Sequence, residues 1–201
     1  MSYRVLVIPE DPTNNGYILK PLVKRMLTEC GKPKARVEVL TNPRAGGYES
    51  AHDLLKEEIL DRYADRDLLL FLPDADGKDR SRTFKSLEAL AHRKKVTLIC
   101  CAAVQEVETW LLAGHLEKLK PMTWDDIRAD CSVKENTFDK FLAKHGDPRS
   151  VGNGRGQLME ETLKSYAGLL TRCPELKQLQ DRISLLRSPP GDGFLPTRRH
   201  H

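Results

Sequence analysis

The stretch that most constrains this chain is Asp67–Leu72, Asp-Leu-Leu-Leu-Phe-Leu. Side chains alternate sides along a strand, so a short run that is apolar at every position marks a strand covered on both faces. Such a strand lies inside a sheet with helices packed above and below it. Chains of that kind read as alternating strands and helices.

The flanking sequence alternates in this way. Tyr3–Ile8 (YRVLVI) is a β-branched run that predicts a buried strand. Ile18, Leu22, Val23, Met26 and Leu27 then make a helical stripe within Tyr17–Leu27, stopped by Gly31 and Pro33. Arg36–Leu40 reads as a second strand, Ser50–Tyr63 as a helix and Asp67–Leu72 as the third strand. Ser81–Arg93 follows as a helix, Val96–Val104 as the fourth strand and Gln105–Leu116 as another helix. The expectation is an α/β fold, an open and mostly parallel sheet with helices on both faces, over residues 1–118. From Pro121 no strand signal remains. Thr123 and Asp126 form a helix-cap pattern, and Asn136–Ala143, Gln157–Tyr166 and Pro174–Leu186 read as helices around the glycine-rich loop Gly146–Gly156. Residues 119–187 are therefore expected to be an α-helical C-terminal extension. Ser188–His201, rich in Pro, Gly and Arg, is expected to be a disordered tail, its last two histidines reading as a tag remnant.

Composition removes several classes of function. The 201 residues, 39% hydrophobic and 31% charged, have the size and balance of one folded domain. No apolar run reaches the roughly 18 residues of a membrane span, and the N-terminal run has no signal-peptide layout. Five cysteines without a CxxC spacing argue against a disulfide framework or a zinc ribbon and for a reducing, cytoplasmic setting. His52, His92, His115 and His145 lack metal spacing and read as surface or capping residues. No GxxxxGK[ST] or GxGxxG is present, so nucleoside triphosphate hydrolysis and dinucleotide binding are not expected.

Ligands of open α/β sheets bind beyond the carboxyl ends of the strands. Glu10 follows the first strand, Asp74 and Asp76 follow the third, and Glu106 and Glu108 follow the fourth. Acids gathered at one edge repel one another and are costly to desolvate, and a hard cation removes both penalties. Oxygen ligands from one or two carboxylates, completed by water and substrate phosphate, suit Mg²⁺. A helical Gln105–Leu116 would turn Glu106 and Glu108 to different faces, which favours Glu108, two residues before Trp110. Trp110 itself reads as a core anchor. Between Lys78 and Lys95 stand seven bases and two acids, so Lys78, Arg80 and Arg82 are candidate phosphate contacts beside the acids. Arg155, flanked by Gly154 and Gly156, is a further candidate.

This ordered set resembles the Toprim domain of topoisomerases, primases and overcoming-lysogenization-defect nucleases. The resemblance rests on Val7-Ile8-Pro9-Glu10-Asp11, on Asp74-Ala75-Asp76, and on Glu106-Val107-Glu108-Thr109-Trp110-Leu111-Leu112. It spans roughly residues 3–116. It implies a Toprim-like (Rossmann-like) core and a nuclease dependent on Mg²⁺ (or Mn²⁺). Glu10 would be metal ligand or general base, Asp74 and Asp76 metal ligands, and Glu108 would complete the metal shell. The same resemblance implies nucleic acid as substrate, a separate ATPase as partner, and a role in anti-phage defence. Where many members have Gly after the glutamate, this chain has Asp11-Pro12. That departure motivates a second expectation, a non-catalytic Toprim-like binding module. A dehalogenase-type phosphohydrolase is disfavoured, because Lys78 stands where that family has Thr or Val.

Overall fold

A computed structural model of the chain describes residues 2–186. The tail expected over 188–201 lies outside the described residues. Four strands, β1 (Arg4–Ile8), β2 (Arg36–Val39), β3 (Leu68–Phe71) and β4 (Leu98–Cys100), form one parallel sheet in the order β2-β1-β3-β4. Helix α1 (Gly16–Glu29) joins β1 to β2. Helix α2 (Tyr48–Leu54) runs on through a π turn (Leu55–Ile59) and a last turn (Leu60–Arg62) before β3. Helix α3 (Ser81–Arg93) leads into β4, and α4 (Glu108–Leu112) follows it. The fold is α/β with an all-parallel sheet, an arrangement compatible with a Rossmann-like architecture.

The apolar run Asp67–Leu72 supplies β3, an inner strand, and its residues divide by parity. Leu68, Leu70 and Leu72, with Val5, Val7 and Ile99, belong to a core layer that includes α1 and the C-terminal helices. Leu69 and Phe71, with Leu6, Ile8, Leu98 and Cys100, belong to a second layer under α2 and α3. Both faces of the sheet are thereby closed to water.

Beyond β4 the sequence expectations needed correction. The expected strand Val96–Val104 pairs regularly only over Leu98–Cys100. Pro73 on the neighbouring segment has no N–H for the ladder, which breaks pairing there. It resumes as a bridge between Asp74 and Ala103. The expected helix Gln105–Leu116 shrinks to α4, because residues 105–107 bond to the β3 end instead. Gln105 O accepts the Asp76 N–H at 3.1 Å, and Asp74 Oδ1 accepts the Val107 N–H at 2.7 Å.

The extension holds α5 (Trp124–Ala129), α6 (Asp139–His145), α7 (Arg155–Leu163), α8 (Tyr166–Arg172) and α9 (Pro174–Ser184), with a π turn (Lys134–Phe138) entering α6. Thr123 and Asp126 make the expected capping box. Helix α8 is not apparent in the sequence because Gly168 interrupts it. In the structure a Cβ at Gly168 would come within 2.7 Å of Ser165 Oγ. His115, expected to be a surface or capping residue, is buried, and its Nε2 lies 3.0 Å from Leu158 O.

Trp110 joins core and extension. It is fully buried, and its indole N–H donates to Glu175 Oε1 at 2.9 Å, an oxygen that also accepts from Arg128 at 2.7 Å. Trp110→Ala removes that packing and leaves Glu175 one donor short. It should cost about 3–5 kcal/mol in urea unfolding. The transition should stay single, because α4 and the C-terminal helices share one core layer.

Candidate metal centre

The sheet order places the site. Chain direction across the sheet reverses between β1 and β3, so their carboxyl ends open into a crevice rather than a continuous roof of loops. Glu10 and Asp74 stand on either side of that crevice. Glu10 Oε2 accepts the Asp74 backbone N–H at 3.3 Å. Asp74 is buried, and Val107 N–H fixes its carboxylate. That bond draws residues 106–108 over the end of β3.

As a result Glu106 and Glu108 converge. Glu106 precedes α4 and Glu108 begins it, so the separation expected for two positions on one helix does not apply. Ligand atoms from Asp74, Glu106 and Glu108 all lie within 4.8 Å of one another. Glu108 is fully buried, yet among the described residues neither of its carboxylate oxygens finds a hydrogen-bond partner. Oε2 of Glu106 is likewise buried without a hydrogen bond.

Lys134, from the extension, reaches this group. Lys134 Nζ lies 3.3 Å from Glu108 Oε1 and 3.6 Å from Glu106 Oε2. The sequence reading passed over Lys134, which sits far along the chain in a polar stretch. Only the docking of the extension brings it to the sheet edge.

The electrostatics follow from burial and crowding. Burial, then the charges of Glu10, Glu108 and Glu106, push the Asp74 carboxyl up to about 9, against the Val107 N–H. Burial and the Glu108 charge push Glu106 up to about 7, with Lys134 opposing. Glu10 is raised mainly by burial, with Asp76 adding to it and the Asp74 N–H and Lys134 opposing. For Lys134 burial disfavours the charge, but Glu108 and Glu106 outweigh it and hold the ammonium above its usual range.

The other sequence candidates occupy different surroundings. Asp76 does not continue an extended turn beside Asp74. Its φ is +50°, its side chain is half exposed, and it pairs with Arg80 at 3.5 Å. Arg80 is largely buried, stacked on Tyr48 with its guanidinium carbon 3.6 Å from the ring centroid. Lys78 and Arg82 are exposed. Arg155, expected to face a phosphate from a loop, begins α7 instead and is buried over the Phe138 ring, donating to Gly152 O at 3.2 Å. Its guanidinium is thus inside the fold. Asp11, the departure after Glu10, closes its own turn by accepting the Thr13 N–H at 2.8 Å and the Asn14 side-chain N–H at 3.1 Å. A cavity of about 450 Å³ opens beside the Asp76 loop, lined by Lys78, Arg80, Ser81, Phe84, Leu179 and Arg182. Arg182 is a second base that sequence reading did not single out. It donates to Glu88 Oε1 at 2.8 Å and to Cys100 O at 3.2 Å.

No protein-family model matches the chain, and no curated protein or solved structure is significantly similar to it. Among the described residues no helix is long and apolar enough to cross a membrane.

The donor set fits a hard divalent cation. It offers carboxylate oxygens alone, and among the described residues both oxygens of Glu108 and Oε2 of Glu106 are buried and accept no hydrogen bond. The raised Asp74 gives a pH test. The folded protein holds this proton up to about pH 9, while an unfolded Asp releases it near 4. Between those values the folded state binds more protons, so Asp74 lowers stability as pH rises. In EDTA the melting temperature of the wild type should fall more steeply from pH 6 to 9 than that of Asp74→Asn. Equal slopes would contradict the assignment.

Proposed function

We propose that the chain is a metal-dependent nucleic-acid phosphodiesterase, a nuclease of the Toprim kind. The observation that carries this reading is the convergence of Asp74, Glu106 and Glu108, with Glu108 fully buried and free of hydrogen bonds, at the crevice between β1 and β3. Buried carboxylates held this close are stable mainly when a cation neutralises them.

Mg²⁺ or Mn²⁺ bound there would lower the pKa of a water nucleophile and offset charge on the phosphate. Asp74, Glu106 and Glu108 would hold it. Glu10, joined to Asp74 through the backbone N–H, is placed to accept a proton from water or to extend the ligand set. Asp76, half exposed at the rim, is the acid best placed for a second ion brought with substrate. Lys78 and Arg82 face solvent beside the cavity-lining Arg80 and Arg182, and suit the backbone of a nucleic acid strand. Arg155 has no part in this arrangement.

The test is cleavage of plasmid, single-stranded DNA and transfer RNA with Mg²⁺ or Mn²⁺. Asp74→Ala and Glu108→Gln should reduce cleavage to the level of buffer, and EDTA should do the same to the wild type. Cleavage that survives Asp74→Ala would overturn the reading. Mn²⁺ binding without cleavage of any substrate would favour the other reading, a binding module acting with a partner protein.

A further inference from the structure

We infer that Lys134 is a built-in counter-cation of the acidic centre, exchanged for the divalent ion when that ion binds. This inference rests on the reading of Asp74, Glu106 and Glu108 as a metal site. The ammonium faces Glu108 Oε1 at 3.3 Å and Glu106 Oε2 at 3.6 Å. Those two glutamates supply ligand atoms to the cluster. Lysine and metal therefore address the same side chains.

Charge arithmetic explains why the exchange goes one way. Lys134 supplies a single positive charge to two glutamates, Glu106 and Glu108, with the acids Asp74 and Glu10 beside them. It makes no hydrogen bond to Glu108, whose two oxygens remain without one. One ammonium thus reduces the repulsion without removing it. A divalent ion brings twice the charge, and at such short range it repels the ammonium. A lysine has a flexible four-carbon stem that lets its head move without moving the backbone.

The position of Lys134 in the chain gives the exchange a consequence. It opens the π turn that enters α6, a segment of the extension whose Phe138 is fully buried in the shared core layer. Metal loading at the sheet edge is in this way linked to how the extension sits over it. Released from the glutamates, the ammonium remains tethered beside the crevice, where a substrate phosphate is the natural anion for it to meet.

The experiment compares wild type, Lys134→Gln and Lys134→Arg for Mn²⁺ affinity by electron paramagnetic resonance, and for melting temperature with EDTA or Mn²⁺. Lys134→Gln should bind Mn²⁺ about tenfold tighter or more, because the competing charge is gone. In EDTA it should melt about 5 °C or more below the wild type, and Mn²⁺ should close that gap. Lys134→Arg keeps the charge and should restore both the melting temperature in EDTA and the weaker affinity. If Lys134→Gln does not fold in EDTA, recovery of folding by Mn²⁺ supports the exchange, and failure to recover contradicts it. Equal or weaker Mn²⁺ binding by Lys134→Gln, with binding intact in the wild type, overturns the role of the lysine alone. Absence of Mn²⁺ binding by all three proteins overturns the metal centre itself.

Discussion

The 2.7 Å hydrogen bond from the Val107 N–H to Asp74 Oδ1 ties the ends of β3 and β4 together where the crevice of the sheet opens. Asp74 is in turn held from the other side, its own N–H given to Glu10 beyond β1. A carboxylate in this position organises three strand ends at once. It holds residues 105–107 out of the helix that their sequence favours, starts α4 at Glu108, and so sets Glu106 and Glu108 beside Asp74. The same bond that helps satisfy Asp74 leaves Glu108 buried without a hydrogen bond. Local order at the sheet edge is obtained by concentrating negative charge there.

Much of the frame was legible from residue pattern. The uniformly apolar Leu68–Leu72 required cover on both faces, and the two core layers separate along it by parity. Thr123 and Asp126 announced their cap, and Trp110 announced its burial. The acids were legible as a set because strand ends in such a sheet share an edge. Their grouping was not. Periodicity assigned Glu106 and Glu108 to different faces of one helix, while the Asp74 carboxylate took the Val107 N–H and shortened that helix. Asp76 and Asp74 looked equivalent as a DxD pair, yet the positive φ at Asp76 turns it out to pair with Arg80.

The basic residues show the same limit more sharply. Arg155 had the sequence signature of an exposed, glycine-flanked base, but Gly154, with a φ of +86°, lets the chain turn so that Arg155 starts α7 inside the fold. Lys134 and Arg182 had no signature and yet face the sheet edge, because the extension folds back over the core. Tertiary docking, which no local pattern encodes, decides which bases meet the acids.

The central claim is that Asp74, Glu106 and Glu108 form a divalent-cation centre. Anomalous diffraction at the manganese edge from a crystal soaked in Mn²⁺ tests it most directly. The account predicts a peak bounded by those three carboxylates, with Lys134 Nζ turned away from Glu106 and Glu108. A protein crystallised with Mn²⁺ that shows no peak there, and Lys134 still between the two glutamates, would contradict it.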